Sequence, residues 1–114
     1  MDNMKAEFVY IPFTVREDEI ETAKSAIREF ISHIRNEEPG TLFYSSMQEK
    51  DQPNRFGHFM VFADSLAHEK HRGTEYVQEF VRKLYPLCSE EPNPIFLNGF
   101  DICGSAAEEI IKAG

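Results

Sequence analysis

"TLFYSSMQEKDQPNRFGHFMVFAD", residues 41–64, is the stretch whose reading decides the fold. Two β-rich runs, 41–48 and 56–64, flank a charged loop, EKDQPNR, with Pro53-Asn54 at its turn, and such a pattern is a β-hairpin. The second run is apolar on both parities. His58, Met60 and Phe62 point one way; Phe59, Val61 and Ala63 point the other. A strand with two apolar faces has to be covered twice. The chain's own helices can supply one cover. A second copy of the chain, a homodimer joined through the open sheet face, is the expected source of the other.

Upstream lies EDEIETAKSAIREFISHIRNEE, where Ile20, Ala23, Ile27, Phe30, Ile31 and Ile34 fall at helical spacing and form one stripe. Acids crowd its start, where the helix dipole favours them, and Pro39-Gly40 ends it. Before it, EFVYIPFTV (7–15) reads as a strand that Pro12 pushes towards an edge or a bulge. Downstream, Ser65 is expected to cap a short helix through Arg72. Thr74 is expected to cap a second, with Val77, Phe80, Val81 and Leu84 as its buried stripe. EEPNP reads as a linker and IFLNGFDIC (95–103) as the last strand, with Gly99 a candidate bulge. The tail SAAEEIIKAG reads as a short helix or a frayed end. The order strand, helix, strand, strand, helix pair, strand is that of an α+β, ferredoxin-like βαββαβ fold. Right-handed crossovers then put the helices on one face of a four-stranded antiparallel sheet.

Length suggests one domain spanning 1–114. A net charge of −8 repels phosphate backbones and argues against nucleic acid as a partner. No basic cluster exceeds His71-Arg72, and no apolar run approaches membrane-spanning length, so no membrane partner is expected. The opening MDNMKAEF has no apolar run and does not read as a secretory leader. Cys88 and Cys103 are expected to be free thiols in a reducing cytoplasm, and neither has a basic neighbour that would activate it.

The chemistry-bearing residues are few. His68 and His71 stand three apart in HEKH, which lacks the four-residue spacing of the zincin motif and any nearby third ligand, so no metal site is expected. His68 reads as a residue on a solvated helix face. His71 ends one helix just before the next begins, a junction that can line a cavity, and an imidazole there can exchange protons near neutrality. His58, beside Met60 and Phe62, needs a hydrogen-bond partner if buried, and Tyr44 on the neighbouring strand can be that partner. Tyr44 and Tyr76 also read as core aromatics with a bonded tip, and Arg55 as a hairpin charge. No nucleophile elbow, phosphate loop or dinucleotide fingerprint is present.

Residues 39–80 resemble the antibiotic biosynthesis monooxygenase family of the dimeric α+β barrel superfamily. The likeness rests on Pro39-Gly40 followed by an aromatic strand, the Pro53-Asn54-Arg55-Phe56 hairpin, a strand ending in Asp64, a helix reaching His71, and Phe80 closing the next. It implies a homodimer with a pocket between sheet and helices, and a cofactor-free oxidation of a small aromatic, a quinol or polyphenol, by O2. His71 then becomes the base, with Tyr76 orienting a phenolate as second catalytic residue. Tyr44, His58, Met60, Phe62 and Phe80 become substrate-binding candidates. Where many members carry Glu and Trp on strand three, this chain has Met60 and Phe62. The haem-degrading branch is not expected, because the chain has no Trp and its Phe80-Val81 position is apolar. A non-catalytic small-molecule-binding dimer and a cofactor-free isomerase stand as alternatives within the same fold.

Overall fold

The computed structural model describes residues 5–113. Met1–Met4, on which the reading of the chain's opening rests, and Gly114 at the end of the tail lie outside the described residues. The expected order is observed. β1 (Glu7–Val15) leads to α1 (Ile20–Glu37), then to the hairpin of β2 (Thr41–Gln48) and β3 (Arg55–Phe62). α2 (Ser65–Arg72) and α3 (Glu75–Leu84) follow, then β4 (Cys88–Glu90), β5 (Ile95–Leu97) and α4 (Ala107–Ala113). The sheet runs β2-β3-β1-β4 with β5 also on β1, and each pairing is antiparallel. The ferredoxin-like α+β reading of the sequence is borne out.

Three local expectations need correction. The last strand does not run from 95 to 103. Its place beside β1 is shared by two three-residue strands, β4 at Thr14–Val15 and β5 at Phe8–Tyr10. Pro92 and Pro94 lie between them and have no N–H to continue a ladder. Pro12 does not put β1 at an edge. β1 is central, and Pro12 sits opposite Gly57 of β3 while its carbonyl accepts from the Asn93 amide in the gap between β4 and β5. N–H and C=O of one residue point to the same side of a strand, so the missing proline N–H faces the one place where no strand needs it. The cap of α2 is Asp64, whose carboxylate accepts from the Ala67 amide at 2.8 Å. Thr74 caps α3 as expected, accepting from Val77 at 3.3 Å.

The sheet's two faces differ. Val9, Met60 and Phe62 form a buried group with Tyr44 and Ala67 against them. Phe13, Val15 and Phe56 join Ala23 and Ile27 of α1 and Leu84 of α3. The apolar stripe of α1 is therefore spent on this face, with Ala23, Ile27, Phe30 and Ile34 buried. On the other face Ala6, Phe8 and Val61 are buried, and Ile110 of α4 lies against them. The tail is thus a helix that covers part of the face expected to be bare. Phe43 and Met47 of β2 remain 49% and 46% exposed. Among the described residues no helix is long and apolar enough to cross a membrane.

Candidate active site

α2 is short, and its placement is what builds the site. Gly40, at the start of β2, allows a close approach: a Cβ there would stand 2.8 Å from Ala67 Cβ. α2 therefore lies tight against the end of α1 and the start of β2. His68 and His71, one turn apart, both point inward, each 6% exposed. The expectation of a solvated His68 is overturned. Its ring stacks on Phe62 at 4.6 Å, and its Nδ1 bonds Glu7 Oε1 at 2.7 Å. A helix face that meets a sheet buries whatever it carries, and a glutamate partner makes burial of an imidazole tolerable.

His71 Nδ1 lies 2.9 and 3.0 Å from the two carboxylate oxygens of Glu38. An ionised carboxylate only accepts, so Nδ1 carries the proton and Nε2 keeps its lone pair. Glu38 also accepts from Tyr76 Oη, and from Thr41 Oγ1 at 2.6 Å. Burial holds the His71 pKa below the usual imidazole value against the opposing pull of Glu38. Burial and the Glu38 bond push the Tyr76 phenol up, so it stays protonated. The carboxylate was missed in the sequence. It stands just past the end of α1, where charged residues are ordinarily solvated, and its three donors lie 3, 33 and 38 positions away. The one local signal was a second glutamate directly before the helix-ending proline.

His58, on β3, is 2% exposed. Tyr44 Oη lies 2.9 Å from its Nδ1, so Tyr44 is its partner, and both point to the helix-covered face. Burial pushes His58 down to about 4 and pushes the Tyr44 phenol up.

Between sheet and helices lies a cavity of about 250 Å³. Tyr44, His58 and Met60 of the sheet, Phe30 of α1, His68, His71 and Arg72 of α2, and Val77, Phe80 and Val81 of α3 all line it. Phe30 and Phe80 stack at 4.2 Å on its wall, and Pro92, Pro94 and Phe96 bring the exposed β4–β5 segment against it. Of the residues singled out in the sequence, Tyr44, His58, Met60, His71 and Phe80 therefore share one cavity. Phe62 and Tyr76 do not line it. Phe62 is fully buried beneath the two helix histidines, and Tyr76 reaches the site through Glu38. Cys88 and Cys103 are free, and burial raises the Cys88 thiol to about 11, which leaves it unreactive near neutrality. Arg55 pairs with Glu49 at 3.3 Å in the hairpin loop.

The fold and cavity define a small α+β domain that encloses a mostly apolar chamber against one face of its sheet. The sequence pattern of the antibiotic biosynthesis monooxygenase family matches residues 8–83, well over half the chain. The chain belongs to that family. No curated protein gives a significant match. Among solved structures, a candidate antibiotic biosynthesis monooxygenase from Nitrosomonas europaea is 20% identical, with 91% of this chain and 99% of that one aligned at a TM-score of 0.79. A Mycobacterium tuberculosis protein is 18% identical over 87% of this chain and 99% of its own, TM-score 0.79. A Shewanella oneidensis protein is 21% identical over 85% and 93%, TM-score 0.76. At these identities the likeness speaks for the fold.

Proposed function

We propose that this protein is a monooxygenase that oxidises a small hydroxyarene, a quinol or polyphenol, with O2 and without flavin or metal, using His71 as base. The observation that carries the reading is the buried Glu38–His71 pair, whose imidazole lies on the wall of a cavity lined by aromatic and aliphatic side chains. Glu38 holds the Nδ1 proton, so Nε2 is the free basic nitrogen and has no partner among the described residues. Its depressed pKa keeps that nitrogen unprotonated at neutral pH. The stacked Phe30 and Phe80 offer a face for an aromatic ring, and Arg72 favours an anion at the cavity's edge.

The chemistry follows from those parts. His71 Nε2 takes the phenolic proton, and the O–H electron pair stays on the ring oxygen. The electron-rich anion reduces O2, and a carbon–oxygen bond forms at a ring position that bears hydrogen. Loss of water leaves one oxygen atom on the ring as a new carbonyl. A quinol plus O2 thus gives a hydroxyquinone plus water, with all four electrons drawn from the substrate. Exclusion of water protects the reduced intermediates.

A homodimer across the second sheet face belongs to the same proposal. Phe43 and Met47 are half exposed there, beyond the reach of α4, and sedimentation velocity of wild type beside Phe43→Lys tests it: a dimer that the substitution weakens is expected.

Oxygen uptake tests the activity. Metal-stripped protein is given a panel of reduced naphthoquinols and anthrones beside His71→Ala. Uptake above the protein-free rate that collapses in the variant is the expected result. Uptake equal to autoxidation throughout the panel contradicts the reading. Ligand-dependent thermal stabilisation without uptake would instead support a binding protein, and product formed without oxygen an isomerase.

A further inference from the structure

Only one fully buried side-chain nitrogen or oxygen among the described residues has no partner, and it is His58 Nε2, on a residue that lines the cavity. Buried polar atoms in folded proteins are ordinarily bonded, and one that is not calls for an explanation. The tautomer decides what this atom can do. Tyr44 keeps its phenolic proton, because burial raises that group. Its hydroxyl has one hydrogen-bond partner among the described residues, His58 Nδ1. If Tyr44 donates, Nδ1 is the acceptor and the ring proton sits on Nε2. The other tautomer would put two donors face to face or leave the Tyr44 proton with no acceptor among the described residues. Burial also keeps the ring neutral at any pH above about 4. No side chain among the described residues takes the Nε2–H; Phe13 and Phe80 stand beside the ring, at 5.1 Å and 6.0 Å between ring centres.

We infer that His58 is a fixed hydrogen-bond donor held ready by Tyr44 for an acceptor oxygen of the ligand, so that the substrates are hydroxyarenes carrying a second oxygen conjugated with the hydroxyl. The inference rests on the reading that a hydroxyl gives up its proton to His71. It adds what stands at the other end of the molecule. The Tyr44 ring centre is 5.4 Å from that of His58 and 6.0 Å from that of His71. A ligand ring beside Tyr44 therefore has both imidazoles close by. Where the second oxygen is a conjugated carbonyl, removal of a proton at the His71 end leaves an electron pair that spreads through the ring onto it, and a donor bonded to that oxygen stabilises the charge as it develops. In a quinol the second oxygen is a hydroxyl, which accepts the same hydrogen bond without sharing the charge. His71 accepts a proton, His58 donates a hydrogen bond without losing one, and no further reactant is needed. At about 250 Å³ the cavity holds the volume of about eight waters at ~30 Å³ each, which suits one ring or two fused rings.

Three redox-inert probes separate the possibilities: 6-hydroxy-1-tetralone, with hydroxyl and conjugated carbonyl; 5,6,7,8-tetrahydro-2-naphthol, without the carbonyl; and 1-tetralone, without the hydroxyl. Titration calorimetry at neutral pH is expected to show the hydroxytetralone binding about tenfold tighter than the naphthol, the size of one hydrogen bond to a buried donor. In the double variant Tyr44→Phe/His58→Phe, which removes the donor and leaves no orphaned hydroxyl, that preference is expected to shrink to about twofold or less. Nitrogen-15 spectra of histidine-labelled wild type give a readout that needs neither ligand nor variant: His58 is expected to show a protonated Nε2 and an unprotonated Nδ1. Equal affinity for the hydroxytetralone and the naphthol, or the opposite tautomer, overturns the inference and leaves the reading of His71 standing. Failure of all three probes to bind overturns both.

Discussion

Of the three histidines that line the cavity, each held by its Nδ1, His71 and His58 end with opposite properties. His71 donates its Nδ1–H to a carboxylate, which fixes the proton on Nδ1 and leaves Nε2 basic. His58 accepts at Nδ1 a hydrogen bond from a phenol, which fixes the ring proton on Nε2 and leaves that nitrogen a donor. Burial drives both pKa values down, but at His71 Glu38 opposes the shift while at His58 nothing does. The difference teaches that the partner on the far side of an imidazole, rather than the cavity it faces, sets whether the ring acts as base or as donor.

The contrast can be broken at either end. The largest effect is expected from His71→Ala: kcat/KM should fall at least about a hundredfold, the scale of a lost general base, and steady-state oxygen uptake measures it. A fall of only a few-fold would make the two histidines equivalent. Next is the stability carried by His58. Unfolded, the ring takes a proton near 6.5; folded, it resists until about 4. The unfolded chain therefore binds more protons within that window, and stability is lost as pH drops through it, by about 3 kcal/mol at its lower end. Urea unfolding of wild type and of Tyr44→Phe/His58→Phe at several pH values should show the wild type losing that much more on acidification. A constant difference between the two would mean that His58 is not buried neutral.

Glu38→Gln should weaken the contrast and lower kcat by roughly tenfold. It should also move the acidic limb of the kcat/KM profile to lower pH, because the carboxylate is what raises His71. An unmoved limb would separate Glu38 from the base. The smallest effect is expected from Tyr76→Phe, which removes one of three donors to Glu38. A two- to threefold drop in kcat with the limb nearly in place is the mark of a positioning residue, and a loss as large as that of His71→Ala would instead put Tyr76 on the substrate.

The fold was legible where a periodic pattern met a clear stop. α1 announces itself by its stripe from Ile20 to Ile34 and ends at Pro39-Gly40, and the β2–β3 hairpin by two β-rich runs around Pro53-Asn54. The fourth strand was not legible, because the interruption by Pro92 and Pro94 depends on how β1 presents its edge on that side. At the site, the pairing of Tyr44 with His58 could be read from their neighbouring strands. The inward turn of His68 could not, since an eight-residue helix with polar residues all round does not declare its buried face. Glu38 was invisible for a related reason. Its neighbours in sequence are a helix end and a turn, and only the docking of α2 and α3 brings His71 and Tyr76 to it.

The dependence of kcat/KM on pH, measured for wild type and His71→Ala on the best substrate of the quinol panel, tests the role of His71 most directly. In the wild type a single acidic limb is expected below pH 6.5, with a plateau above it, because burial sets the ring's pKa under its ordinary value. In His71→Ala that limb should vanish, leaving a slow rate that follows only the substrate's own ionisation. The same limb in both proteins would mean that the base is elsewhere.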